Sequence, residues 1–290
     1  MKKKLIKSSI TKKQAWSLIL EAKIQVNTIL KQNKSITIKK KIRNEIYFLI
    51  YNRDLMKIKS KNFEMDSEVQ NLFNIFLPII FNKKDSPYFI GHLAQTLDGF
   101  IATSSGESKY ISCYENLEHI HRLRAISDVI LVGANTVALD NPKLTTRLVK
   151  GSSPLRIVLD PKYKLSPTLD FFNTKISDGF RITCLKKKLN DPSIFQLPTE
   201  NGKFRISEIQ GLFKKLKKQI IFIEGGGSVI SQFLKNDHLH KLHLCISPII
   251  IGQGKNSFIQ KEEKVLENIK EHKVTYYNMG NDILCDLDLS

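Results

Sequence analysis

The stretch of this chain that says most about its fold reads Ile220-Ile221-Phe222-Ile223-Glu224-Gly225-Gly226-Gly227-Ser228, and the apolar run Val229–Leu234 follows it. A short apolar run that enters three glycines and continues with helix-like spacing predicts a strand, a tight turn and a helix. Backbone N–H groups at a helix N-terminus bind phosphate, and glycines let a phosphate approach the backbone closely. Although the G-x-G-x-x-G spacing is absent, the stretch is a candidate dinucleotide cradle.

Strand-like runs alternate with helical patterns on both sides of this stretch. The runs are Tyr88–Ala94, Asp128–Val132, Leu155–Leu159, Arg181–Leu185 and Gln219–Ile223. Such alternation predicts an α/β fold with a mostly parallel sheet and helices on both faces. The pattern then changes, with strand-like runs at Lys241–Ile251, Lys273–Tyr277 and Asp282–Leu287. A turn at residues 278–281 separates the last two runs, which predicts a C-terminal antiparallel hairpin.

The first part of the chain is more basic than the rest. Of the net charge of +18 in 290 residues, residues 1–87 carry +12, from 19 Lys and Arg against 7 Asp and Glu. Helix-like spacing covers Lys12–Leu30 and Ser67–Phe81, whereas Ile46–Tyr51 fits either a short strand or a helix segment. A polar stretch that ends at Pro87 is typical of a linker. We therefore predict a small, basic, mainly helical segment over residues 1–86 and a separate domain over residues 87–290.

Composition narrows the class of protein. A basic surface attracts nucleic acid or acidic partners, but the front segment shows no interleaving of aromatic and basic residues, so we favour a solvated surface. The four cysteines are scattered, with no C-x-x-C pair and no zinc-site spacing, which indicates a cytoplasmic protein with reduced thiols and no bound metal. No apolar run approaches the roughly 20 residues of a membrane span. The N-terminus also lacks the apolar core of a signal peptide.

Two further stretches carry polar residues where strands are expected to end. The first runs from His92 to Thr103 and continues to Tyr110, and its glycine-bearing loop would let a flat cofactor approach the backbone. The second comprises residues 121–125, 131–137 and 140–147. Arg124 and Arg147 within it suit a phosphorylated ligand, because a guanidinium group binds two phosphate oxygens at once. Both Arg122 and Arg124 also fit solvated helix positions, and for Arg122 we favour that interpretation.

Together these three stretches resemble the reductase domain of bacterial riboflavin biosynthesis, which is the C-terminal half of the bifunctional pyrimidine deaminase-reductase. The resemblance covers about residues 88–288, including Ser247-Pro248-Ile249-Ile250-Ile251-Gly252-Gln253-Gly254, and excludes the front segment. It implies a dihydrofolate-reductase-like fold, NADPH as cofactor and a homodimer. It also implies that 5-amino-6-(5-phosphoribosylamino)uracil is the substrate and that its ribosyl group is reduced to ribityl. Such a hydride transfer depends on positioning and needs no metal.

The resemblance further implies which residues form the site. Those expected to contact the substrate are Ser108, Arg124, Leu144, Arg147 and Glu224. Those expected to line the cofactor are Ala94, Tyr110, Thr136, Asp140, Gly226, Gly227, Ser228, Val229, Ile230, Ser231 and Gln232. In this scheme the arginines hold the phosphate, and Glu224 accepts hydrogen bonds from amino or hydroxyl groups of the substrate. No proton donor follows from the sequence.

Four residues depart from the family pattern. His92 and Phe100 replace basic residues that are common there, Tyr110 replaces a tryptophan, and Pro161 replaces a hydroxyl residue. These departures keep a second hypothesis open, namely a paralogous reductase that acts on a different heterocyclic or carbonyl substrate. A third hypothesis is a non-catalytic regulatory or RNA-binding module.

Two other features bear on the activity. Lys162 or Lys164 would favour NADPH over NADH if either meets the adenosine phosphate, although exposed lysines need no such role. The zinc motifs of the deaminase half, H-x-E and P-C-x-x-C, do not occur in this sequence. We therefore expect a reductase without deaminase activity.

Overall fold

The computed structural model describes residues 8–26, 34–82, 86–109, 111–185, 189–260, 262–265, 267 and 269–289. The chain forms two compact units, Met1–Asp85 and Ser86–Ser290. Within the described ranges, no helix combines the length and the apolar character that a membrane crossing requires.

The first unit combines helices with short strands. Its elements are β1 (Ser8–Ser9), α1 (Lys12–Gln25), β2 (Ser35–Ile42), β3 (Glu45–Asn52), β4 (Lys57–Ser60), β5 (Phe63–Glu64) and α2 (Ser67–Ile80). β2, β3 and β4 form an antiparallel sheet in that order, and β1 pairs with β5 in parallel. α1 begins with a capping box, in which Thr11 and Gln14 each accept the backbone N–H of the other. The predicted continuation of this helix to Leu30 lies outside the described residues.

The mainly helical character predicted for this segment is wrong in its middle part, where residues 35–60 fold into the antiparallel sheet. Ile36 and Ile38 are the buried residues of β2, and Tyr47, Leu49 and Tyr51 are those of β3. This is the period of two that a strand produces. The exposed positions of β2 are Ser35, Thr37, Lys39 and Lys41, and its second half is a basic run that is compatible with the polar surface of any secondary structure. The alternation was therefore masked in the sequence.

The second unit contains the remaining elements. Its strands are β6 (Tyr88–Thr96), β7 (Phe100–Thr103), β8 (Val129–Gly133), β9 (Leu155–Leu159), β10 (Gly179–Thr183), β11 (Ile194–Gln196), β12 (Thr199–Glu200), β13 (Lys203–Phe204), β14 (Ile220–Glu224), β15 (Lys241–Ser247), β16 (Gly254–Asn256), β17 (Lys273–Met279) and β18 (Asp282–Asp288). Its α-helices are α3 (Tyr114–Ile126), α4 (Ala134–Asp140), α5 (Ile206–Lys215) and α6 (Gly227–Lys235). A short 3₁₀ helix covers Asp170–Phe172.

Nine described strands of this unit form one sheet in the order β11-β10-β9-β8-β14-β6-β15-β18-β17. Neighbours from β11 to β15 are parallel, whereas β18 runs antiparallel to both β15 and β17. The predicted mostly parallel sheet with a C-terminal antiparallel hairpin is therefore confirmed. Because β14 lies between β8 and β6, the carboxyl ends of three parallel strands meet around its glycine turn. Ligands of open α/β sheets bind at such carboxyl ends.

The apolar core of the second unit lies between the sheet and two of its helices. Phe89 of β6 and Ile223 of β14 pack on this face against Phe213 of α5 and Phe233 of α6, and all four side chains are fully buried. The predicted helices on both faces are also present, because α3 contacts the opposite face of the sheet.

The opposite face carries polar groups in the interior. Four ionisable residues, which we call the buried polar row, are successive cross-strand partners on β14, β6, β15 and β18: Glu224, His92, His243 and Asp286. α3 covers this row, with Asn116 Oδ1 at 2.8 Å from His92 Nε2 and His119 Nε2 at 2.9 Å from His243 Nδ1. Burial lowers the pKa of His92 to about 4, so its imidazole is neutral at pH 7.

Candidate active site at the carboxyl ends of the central strands

The turn between β14 and α6 needs its glycines for reasons that lie in the protein itself. Gly225 and Gly226 have φ angles of +70° and +66°, which L side chains rarely adopt. A Cβ on Gly227 would lie 1.7 Å from the carbonyl oxygen of Ser257, just after β16. The N-cap of α6 makes no side-chain hydrogen bond, so the first N–H groups of this helix are left without a capping side chain.

A second uncapped helix N-terminus lies beside the first. α4 follows β8 with Gly133 as its N-cap and no side-chain cap. Thr136 of α4 contacts the glycine turn, since a Cβ on Gly226 would lie 3.1 Å from Thr136 Oγ1. Uncapped N–H groups and helix dipoles at one edge of a sheet favour an anion. The edge formed by β8 and β14 therefore favours an anionic ligand.

Arg124 and Glu224 form a bidentate ion pair where β14 ends. Arg124 Nε donates to Glu224 Oε2 at 2.8 Å, and Nη2 donates to Oε1 at 2.5 Å. The third nitrogen, Nη1, donates to the carbonyl oxygen of Thr145 at 2.9 Å. Only 8% of the arginine side chain and 16% of the glutamate side chain are exposed, and shielding from water strengthens such a pair. Two of the predicted substrate residues thus lie in contact, with much of the guanidinium already bound to protein.

Arg147 is joined to this pair through Thr145. Its Nη1 donates to Thr145 Oγ1 at 2.7 Å, and its backbone N–H donates to His121 Nδ1 at 2.8 Å. Burial, with smaller contributions from the charges of the two arginines, lowers the pKa of His121 to about 4. A neutral imidazole that accepts at Nδ1 carries its proton on Nε2. The contact of 3.4 Å between His121 Nε2 and Arg124 Nη1 joins two donors and is not a hydrogen bond.

Sequence reasoning missed two residues of this cluster. His121 precedes Arg124 by three positions on α3, and this spacing places both on one face of a helix, so the sequence contained the signal. Thr145 acts partly through its backbone carbonyl, for which no residue pattern exists. Arg122, predicted to be solvated, is instead buried with 10% of its side chain exposed, and it pairs with Glu118 at 2.9 Å. This pairing of residues four apart compensates the buried charge.

The other two predicted substrate residues lie in different surroundings. Leu144 precedes Thr145, is 2% exposed and has a φ of +52°, so the backbone makes an unusual bend as it enters the arginine cluster. Ser108 is exposed in the loop after β7. No contact joins Ser108 to Arg124 in the part of the chain that the structure describes.

Four predicted cofactor residues lie outside α6 and its glycine turn. Ala94 lies on β6 and is partly buried, and Thr136 lies against the glycine turn. Asp140 ends α4, where burial raises its pKa while the charges of Lys255 and Lys109 act in the opposite direction. Tyr110 lies outside the described residues. The structure therefore places Thr136 against the glycine turn, Ala94 on the strand beside β14 and Asp140 at the C-terminal end of α4.

The predicted cofactor residues of α6 divide between two faces of the helix. Val229 and Ile230 belong to the apolar core, with 9% and 0% exposure, so any ligand contact from them would involve the backbone. Ser228, Ser231 and Gln232 line a cavity of about 210 Å³ together with Gly227 and two lysines. A ligand beside α6 would therefore meet one face of this helix and its first turn.

Comparison with known proteins places this geometry in a family. The family model described as the RibD C-terminal domain matches residues 87–285. The riboflavin biosynthesis protein RibD of Aquifex aeolicus is 29% identical over 246 residues, which cover 81% of this chain and 68% of that protein. The 2,5-diamino-6-ribosylamino-4(3H)-pyrimidinone 5′-phosphate reductase of Archaeoglobus fulgidus is 27% identical over 215 residues, which cover 67% of this chain and 95% of that protein.

A solved structure agrees with these sequence relatives. The diaminohydroxyphosphoribosylaminopyrimidine deaminase/5-amino-6-(5-phosphoribosylamino)uracil reductase of Thermotoga maritima superposes with a TM-score of 0.61 at 27% identity. The match covers 78% of this chain, and this chain spans 64% of that one. The dihydrofolate-reductase-like fold predicted for the second unit is thereby confirmed. With a family model matched over residues 87–285, this chain belongs to the RibD C-terminal domain family.

Proposed function

We propose that the unit Ser86–Ser290 is an NADPH-dependent reductase that converts the ribosyl group of a phosphorylated ribosylaminopyrimidine into a ribityl group. The observation that carries this proposal is the Arg124–Glu224 pair, which lies beside an exposed Arg147 where the glycine turn begins. The cluster offers a carboxylate to amino and hydroxyl groups and a guanidinium to a phosphate. A phosphoribosyl substrate has all of these groups.

The two arginines of the cluster suit different tasks. Arg124 donates from Nε, Nη1 and Nη2 to Glu224 and Thr145, so it is placed to orient the carboxylate. Among the described contacts of Arg147, its guanidinium donates from Nη1 alone, and its side chain is exposed. Arg147 is therefore the better candidate for the substrate phosphate, with Nε and Nη2 available as a fork.

The proposed reaction opens the bond between ribosyl C1′ and the ring oxygen, adds a hydride to C1′ and leaves a proton from solvent on that oxygen. NADPH supplies the hydride when bound and becomes NADP⁺. The part of this chain is to bind and orient. Glu224 holds the aminopyrimidine and Arg147 the phosphate, so the carbon between them keeps a fixed position. Such positioning supplies a large share of the rate in reactions of this kind.

The cofactor fits the edge at which the uncapped N-termini of α4 and α6 lie together. We propose that the pyrophosphate lies at the first turn of α6, around Gly226 to Ser228, with Thr136 beside it. Ala94, Tyr110 and Asp140 complete the proposed cofactor site. Backbone N–H groups without a capping side chain suit the oxygens of a pyrophosphate.

The test is steady-state oxidation of NADPH by the full chain with 5-amino-6-(5-phosphoribosylamino)uracil, compared with the same compound without its phosphate. We expect turnover with the first substrate and a catalytic efficiency lower by about one to two orders of magnitude with the second, because a charge-assisted hydrogen bond is worth roughly 1.5–3 kcal/mol. Equal turnover of both compounds would contradict a phosphate site. Absence of turnover with both would contradict the substrate class.

A second candidate substrate is the diaminopyrimidinone that has not been deaminated. The Archaeoglobus fulgidus relative, of which this chain covers 95%, is named as a reductase of 2,5-diamino-6-ribosylamino-4(3H)-pyrimidinone 5′-phosphate. In this chain His92, the cross-strand neighbour of Glu224, is neutral where the family pattern has a basic residue. A neutral residue beside Glu224 does not compete with the substrate for the carboxylate as a cation does, so it suits a pyrimidine ring that carries one more amino donor. Parallel assays with both pyrimidines decide between them by the ratio of kcat/KM.

A further inference from the structure

The outer face of the antiparallel sheet in the first unit has an ordered pattern of side chains. On the central strand β3, Ile46, Phe48 and Ile50 point away from the buried side. Their neighbours on β2, on β4 and just after β4 are basic. Lys39 is the cross-strand partner of Phe48, Lys59 is the partner of Ile50, and the N–H of Lys61 donates to the carbonyl of Phe48 at 3.1 Å. An apolar strip is thus flanked by lysines on both sides.

We call this surface the lysine-flanked face and define it by these residues: Lys39, Lys41, Ile46, Phe48, Ile50, Lys57, Lys59 and Lys61. All five lysines are exposed, and none forms an ion pair in the part of the chain that the structure describes. Phe48 lies between two of them, with the Nζ atoms of Lys39 and Lys61 each 5.9 Å from the centre of its ring. The described residues therefore do not neutralise the positive charge of this face.

The outer face of this sheet combines apolar residues of β3 with exposed lysines. The inner face of the same strands supplies the core, where Tyr47, Leu49 and Tyr51 are at most 4% exposed. On the outer face, Ile46 is 40% exposed, whereas Phe48 and Ile50 are half-buried. The linear sequence does not show this arrangement, because Lys39, Phe48 and Lys59 lie on three different strands that only the folded sheet brings together.

We propose that the lysine-flanked face binds single-stranded nucleic acid. Lysines on two sides of a strip neutralise backbone phosphates, and an aromatic ring on a flat sheet offers a surface on which an unpaired base stacks. A duplex does not expose its bases in this way, so the face fits single strands. RNA and single-stranded DNA share this chemistry. The proposal is independent of the reductase, since it concerns the first unit only.

Fluorescence anisotropy of the full chain with labelled oligonucleotides of about 12 nucleotides, the upper part of the usual site size, tests the proposal. Oligouridylate and oligothymidylate distinguish RNA from DNA, and a duplex of the same length and inorganic polyphosphate serve as comparisons. We expect binding of single strands in preference to both comparisons. Equal binding of polyphosphate would overturn the proposal, because it would indicate attraction to charge without a role for bases.

Two variants locate the binding on the face. Lys39→Gln/Lys59→Gln/Lys61→Gln should weaken binding roughly tenfold or more and reduce the slope of log K against log salt by about 2, at about 0.7 per phosphate contact on a single strand. The matched control removes the same charge from the second unit, with Lys214→Gln/Lys215→Gln/Lys217→Gln, and should bind like the wild type. Equal losses in both triple variants would overturn the assignment to this face.

Phe48→Leu separates stacking from charge, because it keeps an apolar side chain on the strand and removes the ring. We expect single-strand affinity to fall roughly tenfold, within the usual range for loss of one aromatic stack. Polyphosphate affinity and the far-UV circular dichroism should stay unchanged. Undiminished oligonucleotide binding in a folded Phe48→Leu protein would overturn the stacking role. Failure of the wild type to bind any oligonucleotide would overturn the proposal altogether. The lysines would then serve to keep the edge strands of the sheet from pairing with other chains.

Discussion

Gly227 and Gly211 are two helical glycines of the second unit whose replacement by alanine should have opposite effects. A Cβ on Gly227 would overlap the carbonyl oxygen of Ser257 at 1.7 Å, whereas nothing lies within 4 Å of a Cβ on Gly211. Gly227→Ala should therefore lower the free energy of unfolding by about 1–3 kcal/mol. Gly211→Ala should raise it by up to about 1 kcal/mol, because alanine is the better helix former. Urea titrations of both variants check this, and a Gly227→Ala protein as stable as wild type would contradict the contact.

Arg147 is the residue that we expect to separate substrate binding from cofactor binding. Arg147→Ala should lower kcat/KM by about one to two orders of magnitude through the loss of a charge-assisted hydrogen bond. The dissociation constant of NADPH should not change. Arg147→Lys should restore activity only in part, since an ammonium group lacks the planar fork. Arg205→Ala, which removes an exposed arginine with an exposed partner, is the control. With the substrate that lacks phosphate, Arg147→Ala should match wild type, and a further loss there would argue against the phosphate role.

The candidate site could be predicted from sequence where charged side chains make the contacts. Arg124 and Glu224 are 100 positions apart, yet the resemblance to the reductase family named both, and the structure joins them through two hydrogen bonds. Thr145 was not predictable. Its carbonyl accepts a hydrogen bond from Arg124 and its hydroxyl accepts one from Arg147, and both contacts depend on the bend of the backbone at Leu144. A residue pattern contains no information about which carbonyl will lie near a guanidinium.

At the scale of single elements, α3 is held on the sheet by polar contacts. Asn116→Ala should leave the ring N–H of the buried His92 without its partner and cost about 1–3 kcal/mol of stability. Leu117→Ala, on the next residue of the same helix, removes a larger apolar side chain that is 46% exposed and should change stability by less than about 0.5 kcal/mol. Chemical denaturation of the two variants gives the free energies of unfolding to compare. The reverse order of the two effects would mean that apolar packing holds this helix.

The elements themselves were predicted unevenly, and the reason is physical. The parallel strands were recognised because short apolar runs such as Ile220–Ile223 are buried on both faces. β2 was missed because its second half is a run of three lysines, Lys39–Lys41, and because its hairpin turns at Arg43, with a φ of +56°, where no glycine marks the turn. The buried face of α3 was not predictable either, because its buried residues include asparagine, histidine and arginine. Periodicity of apolar residues cannot identify a polar buried face.

For the whole molecule, the buried histidines predict acid sensitivity. The folded protein holds the pKa of His92 and of His121 at about 4, mainly through burial, and burial also lowers those of His119 and His243. In the unfolded chain these groups titrate near 6.5, so the unfolded state binds more protons as the pH falls. Their contribution to stability is complete above pH 6.5 and is lost as the pH falls towards 4.

This loss is measured as the decrease in the free energy of unfolding from pH 8 to pH 5. For His92 alone, the difference between 6.5 and about 4 corresponds to a contribution of about 3 kcal/mol. His92→Gln should reduce the slope below pH 6.5, although it lowers stability at pH 8. Asp286, whose pKa the neighbouring His243 and Lys241 lower to about 2 against the opposing effect of burial, adds its loss only below about pH 4. A stability that stays constant from pH 8 to pH 5 would contradict neutral buried histidines.

The division into two units leads to a prediction about truncation. We expect residues 86–290 alone to unfold in one cooperative transition and to bind NADPH with the affinity of the full chain, because the sheet, its helices and the proposed cofactor edge all belong to that unit. Calorimetry and a fluorescence titration of the fragment make the test. An insoluble or molten fragment would show that the first unit contributes to the core.

Three side-chain contacts hold α3 in a fixed position on the sheet. A helix on a purely apolar surface can slide or roll by small amounts at little cost, because dispersion contacts have no direction. Asn116, His119 and Arg124 each engage a different strand through directional bonds, so translation and rotation of the helix would break at least one of them. The contact of Asn116, eight residues before Arg124 on α3, therefore limits how far the Glu224 carboxylate can move, because Arg124 holds that carboxylate.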